Sequence, residues 1–245
     1  MRKNDRTGED GCSGKNAMND IRDNLKRVYE KVGDAAIRAG RSPEDVTLVA
    51  VTKTVPASRI NLAIDAGVKI IGENRVQEAE AKKEEVQPVT WHMVGHLQTN
   101  KVKKVVPIFD MIHSVDSWHL AREIDEKCRN IGKIMPVLVE VNTSGEESKF
   151  GMAPEAAIEL VEKMSRLPNI SIRGLMTIGL FSDDRRLVTA CFRKLCVLAE
   201  KIKSAKLDNV RMEVLSMGMS SDYELAISEG STMVRIGTAI FGSRN

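Results

Sequence analysis

The sequence predicts a single (β/α)8 barrel, a closed parallel sheet wrapped by helices. Three observations carry that expectation. Short apolar runs alternate with longer amphipathic ones along almost the whole chain, and a parallel crossover needs a connection long enough to hold a helix. The alternation occurs eight times within 245 residues, and such barrels typically take about 250. Finally, no GxGxxG or GxxxxGKS/T follows the first strand, so the usual nucleotide-binding signatures of the rival open doubly wound sheet are missing.

Taken in order, residues 1–17 are polar, contain glycine and lack apolar periodicity; they predict a disordered tail, and Met18 offers an alternative start. The barrel domain is then 18–245. It opens with an amphipathic helix carrying Ile21, Leu25, Val28, Val32, Ala35 and Ala36 at helical spacing and stopping at Gly40. Eight strands are predicted: "VTLVAV" from Val46, "VKII" from Val68, "TWHMV" from Thr90, "FDMIH" from Phe109, "IMPVLVEV" from Ile134, "ISIRGLM" from Ile170, "VRMEVL" from Val210 and "TMVRI" from Thr232. Helical patterns fill the gaps: "ASRINLAIDAG", "ENRVQEAEAKKEEV", "QTNKVKKVV", "SWHLAREIDEKCRNIG", "PEAAIELVEKMSRL", "DRRLVTACFRKLCVLAEKIKSA" and "SDYELAISEG".

Composition narrows the function. The 37 basic and 34 acidic residues are interspersed and give a net charge of +3, a solvated surface rather than a nucleic-acid footprint. The short run "KVKKVV" has no aromatic or further basic cluster beside it and reads as a solvated helix face. No segment approaches the about 18 uninterrupted apolar residues of a membrane span. The cysteines Cys12, Cys128, Cys191 and Cys196 show no CxxC spacing and no export signal precedes them, which predicts reduced thiols in the cytoplasm.

Function in a barrel belongs at the C-terminal ends of the strands, and that rim is where polar and glycine-rich residues collect here. After the seventh strand "SMGMSSDYELAI" sets Gly218, two serines and Asp222 directly before a helical run, so that Ser220 or Ser221 can cap it; after the eighth, "RIGTAIFG" offers Gly237 and the hydroxyl of Thr238. Barrels frequently bind phosphate between these two loops, although each alone is also ordinary turn chemistry. Opposite them, Lys53 ends the first apolar run. An amine at a poorly solvated barrel mouth can form a Schiff base, whereas the plainer reading is a snorkelling lysine. A metal centre is not expected, since His92 and His96 lie in a strand-like segment interrupted by Gly95, His113 ends a strand and His119 falls on a helix.

The segments "VAVTKTVPASRINLAIDAG", "GENRVQEA", "WHMVGHLQTNK", "HSVDS", "VEVNTSGEESKFG", "RGLMTIG" and "LSMGMSSDYELAISEGSTMVRIGTAIFG" resemble successive motifs of the pyridoxal phosphate homeostasis protein family, single-domain relatives of the alanine racemase N-terminal barrel. The resemblance runs from about Ile21 to Asn245. It implies that pyridoxal 5'-phosphate is carried as an aldimine on the lysine of "VTKT", which is Lys53. By the same resemblance, Ser220, Gly237 and Thr238 cradle the phosphate, Arg235 stands at the pyridine nitrogen, Asn74 lines the site, and Met217 and Met176 wall the ring. The sequence departs from some members at Val55, where a second lysine can stand, and at His96, where proline can stand.

What the resemblance implies is a monomeric carrier that keeps the reactive aldehyde low in solution and available to apo forms of pyridoxal phosphate enzymes, without ordinary catalysis. Alanine racemases draw a tyrosine from a further domain, which is expected to be missing here because the chain ends at Asn245; Tyr29 and Tyr223 are both predicted on helices. The alternative is a small amino-acid racemase, for which His96 is the one second acid/base group on offer. A third reading is an aldolase-like Schiff-base barrel using the same lysine and phosphate loops on a sugar phosphate.

Overall fold

The computed structural model describes residues 10–243, with side chains from residue 20 onward. Residues 1–9 of the expected tail therefore lie outside the described residues. The strands are β1 Thr47–Val51, β2 Ile70–Glu73, β3 Thr90–Met93, β4 Met111–Val115, β5 Met135–Glu140, β6 Ile170–Met176, β7 Val210–Ser216 and β8 Met233–Ile236. They pair in parallel in chain order, and β8 returns to β1 with Thr47 opposite Met233 and Ala50 opposite Ile236, closing the barrel. The predicted fold class is the observed one.

Two-residue alternation along each strand sorts side chains between two environments. Ile71, Ile112, Val137, Val139, Ile172, Leu175, Val234 and Ile236 join the large core between sheet and helices. Val49, Val94 and Met233, with Ile70 and Val214 against them, form a small separate cluster on the inward face of the sheet. That face has room for nothing more at Gly72, where a Cβ would lie 2.9 Å from Val49 Cγ1 and 3.2 Å from both Val94 methyls.

The helices are α1 Asp10–Arg38, α2 Ala57–Asp65, α3 Val76–Lys82, α4 Val102–Val105, α5 Trp118–Asn130, α6 Pro154–Met164, α7 Arg185–Ser204, α8 Tyr223–Ser228 and α9 Thr238–Phe241. Some boundaries differ from the sequence reading. Phe109 is not in β4: fully buried, it meets Trp91 edge-on at 6.3 Å as a plug beneath the strand. The segment from Thr99 begins as a 3-10 turn before α4, α3 stops at Lys82 before "KEEV", and α1 starts at Asp10 rather than Met18. The short α9 was not foreseen.

Because α9 is only four residues long, it cannot cover the β8–β1 seam. The N-terminal helix does so instead: α1 packs against α2, α8 and α9, burying Ile21, Leu25, Val28 and Val32. Polar ties fix it there. Asn24 Nδ2 donates to Ile240 O at 2.9 Å, and just past the helix Arg41 Nη1 donates to Ser231 O at 2.7 Å.

Candidate functional site

Lys53 sits two residues past β1, in a tight turn closed by the Val55 N–H donating to Thr52 O at 3.0 Å. The next residue, Thr54, has φ of 63°, a left-handed conformation that costs a non-glycine residue roughly 1–3 kcal/mol. It persists because the Thr54 N–H donates to the Glu78 carboxylate at 2.8 Å. Val55 is half-buried and packs on the core.

Above the barrel's interior, a cavity of about 470 Å³ brings together Lys53, Asn74, Ser220, Arg235, Gly237 and Thr238. Met217 does not join them. Ser216 faces inward and Met217, next in the alternation, turns outward, fully buried in the helix-facing core; Met219 lines the cavity in its place. Met176 is also buried and lies off the cavity wall. Phe181, from the loop after β6, overhangs the same cavity while 89% exposed.

The two glycine-rich loops meet in one corner. Neither serine caps α8, which starts behind Asp222 without a side-chain cap. Asp222 Oδ1 instead accepts the Met219 N–H at 2.6 Å, folding the loop on itself. That sends Ser220 across to the other loop, where its Oγ accepts the N–H groups of Gly237 at 3.3 Å and Ala239 at 3.4 Å. At Gly237 a Cβ would stand 3.2 Å from Val51 O, so the bare backbone keeps the corner open.

Arg235 reaches the cavity from β8 and is nearly fully buried. Its Nη1 donates to Ser216 Oγ at 2.7 Å and its Nη2 to Thr177 O at 2.8 Å. Since guanidinium only donates, the Ser216 hydroxyl must direct its own hydrogen elsewhere. His113 Nδ1 stands 3.1 Å away, and His113 Nε2 lies 3.0 Å from His92 Nδ1. Ser216, His113 and His92 thus continue from Arg235 as a buried chain of hydrogen-bonding groups, in which the tautomer of each imidazole sets the direction of its contacts. Burial pushes His92 down to about 4 and His113 well below the usual histidine range, and it lowers Arg235 to about 10. The sequence offers these histidines only as possible metal ligands, and a two-residue period alone does not show that both face inward.

A carboxyl missed by the sequence reading lies in the same interior. Glu140, at the end of β5, is 2% exposed, its Oε2 has no hydrogen-bond partner, and burial, with Asp116 nearby, pushes it up to about 7. His96 lies apart. Its ring stacks on Phe150 at 3.8 Å, its Nδ1 is 3.8 Å from Asp116 Oδ2, and it lines a neighbouring cavity rather than the one holding Lys53.

The site can offer an amine, a buried cation, and a corner of hydroxyls to one ligand. Residues 19–245 match the profile of the family described as alanine racemase, N-terminal domain. The chain is 43% identical to the pyridoxal phosphate homeostasis protein of Aquifex aeolicus, over 90% of this chain and 96% of that one, and 41% identical to that of Escherichia coli K12, over 93% and 98%. Among solved structures it is similar to PipY of Synechococcus elongatus PCC7942 with PLP bound, with a TM-score of 0.77, 38% identity, and coverage of 88% of this chain and 100% of that one. A Clostridium difficile alanine racemase shares the fold, with a TM-score of 0.77 at 16% identity, this chain covering 57% of it.

Proposed function

The chain belongs to the pyridoxal phosphate homeostasis protein family, within the alanine racemase N-terminal-domain barrels, and from that premise we propose that it carries pyridoxal 5'-phosphate on Lys53 and makes it available to apoenzymes. The observation that carries this reading is the single cavity that gathers Lys53, Arg235 and the Ser220–Gly237–Thr238 corner. The donor set fits the cofactor. Pyridoxal phosphate, when bound, supplies an aldehyde that condenses reversibly with amines. Lys53 supplies the amine, and Ser220 and Thr238 supply hydroxyls for a phosphate in the corner that the bare backbone of Gly237 keeps open. Arg235, held from below by Ser216 and Thr177, presents a donor that suits an unprotonated ring nitrogen, and Asn74 lines the remaining wall.

A carrier, rather than a racemase, is supported by what faces the lysine. Racemisation needs a second acid/base group across the substrate. His96 lines another cavity, and neither Tyr29 nor Tyr223 lines this one. Among the described residues Cys128, Cys191 and Cys196 are free thiols, in keeping with a cytoplasmic protein. The test is to load the protein with pyridoxal phosphate and follow the optical rotation of L-alanine. The carrier reading expects no steady turnover; sustained racemisation, lost in His96→Ala, would establish the rival.

A further inference from the structure

Lys82 ends α3 with its side chain 12% exposed. Its Nζ donates to Thr52 O at 3.1 Å, to Val55 O at 3.0 Å and to Glu73 Oε1 at 2.8 Å. Every ammonium hydrogen therefore has an acceptor, and two of the three acceptors are the carbonyls on either side of the Lys53–Thr54 pair. Glu73, fully buried at the end of β2, fixes the ammonium while its Oε1 also accepts the Thr52 hydroxyl at 2.6 Å. One helical turn before Lys82, Glu78 accepts the Thr54 N–H, and its carboxylate lies 3.9 Å from Lys82 Nζ.

Three backbone groups of the turn, Thr52 C=O, Thr54 N–H and Val55 C=O, are thus tied to charged side chains of a single helix. A lysine has a long flexible stem, so the direction of its amine depends on how firmly its backbone is held. We propose that Lys82, with Glu78, is a positioning residue that locks the strained 52–55 turn so that Lys53 meets the ligand's aldehyde. This rests on the reading that Lys53 is the carrying lysine.

The discriminating probe is pyridoxine 5'-phosphate, which keeps the ring and phosphate but has an alcohol in place of the aldehyde and cannot condense with an amine. Two variants avoid the trivial failure of leaving Glu73 as a lone buried carboxylate: Lys82→Met combined with Glu73→Gln, and Glu78→Ala. In both, affinity for pyridoxine 5'-phosphate should stay within about twofold of the parent, while the fraction trapped on Lys53 by borohydride at subsaturating pyridoxal phosphate falls about tenfold, equivalent to about 1.4 kcal/mol. Adding Thr54→Gly to Glu78→Ala should recover most of the trapping, because glycine adopts the left-handed conformation unaided. Equal losses for both ligands would show a merely structural role and overturn the proposal, as would unchanged trapping. If the parent protein itself traps nothing on Lys53, the carrier reading fails first, a result these variants cannot imitate.

Discussion

Arg235 is a cation held by neutral groups, and the pH response of the protein follows from what surrounds it. The histidines in its chain have lowered affinity for protons, so their contribution to stability is full above the unfolded histidine value and is lost as pH falls from about 6.5 toward 4. Glu140 has the opposite sign: raised from 4.5 to about 7, it favours the folded state when protonated, and that contribution is lost as pH rises through this window. At about 1.4 kcal/mol per pKa unit, Glu140→Gln should raise the unfolding free energy near pH 8 by up to about 3 kcal/mol and change little near pH 4.5. Urea unfolding at the two pH values checks this, and an equal effect at both would remove Glu140 as the titrating group. Lys53, Arg235 and Gly237, which line one cavity, stand in motifs that mark them in the sequence. Glu140 and the His92–His113 pair were not legible there, because a period of two says that a strand has two faces without saying which one looks into the barrel.

At the scale of elements, α1 does what a helix after β8 would do in a regular barrel. Leu25 is 1% exposed in the core it shares with α2, α8 and α9, so Leu25→Ala should destabilise the whole domain by about 2–5 kcal/mol in denaturant unfolding. A loss below about 0.5 kcal/mol would instead mark α1 as an appendage. The helical period of α1 was plain in the sequence, but its role was not, since nothing in a local pattern shows that α9 is too short to cover the seam. The capping expectation failed for a related reason. Ser220 has the right chemistry for α8, yet Asp222 draws the loop back through the Met219 N–H and leaves Ser220 bridging to the loop after β8. His96, stacked on Phe150 away from Lys53, gives the element-scale counterpart: His96→Ala should leave pyridoxal phosphate affinity within about twofold, as judged by spectroscopic titration, and a tenfold loss would bring the histidine into the site.

For the molecule as a whole, the fold was the easiest property to read, because eight apolar runs with helical spacers admit few arrangements once parallel pairing is required. The site was legible to the extent that barrels concentrate function at one rim. Met217 shows where that stops: it belongs to the right loop and faces the wrong way, because one position of alternation decides between cavity and core. Whether Lys53 carries pyridoxal 5'-phosphate covalently is decided by borohydride reduction of the loaded protein followed by peptide mass mapping. The visible absorption band should be lost and one pyridoxyl-phosphate adduct per chain should appear, on Lys53. A protein that binds the cofactor with no reducible adduct, or with the adduct on another lysine, would contradict that role for Lys53.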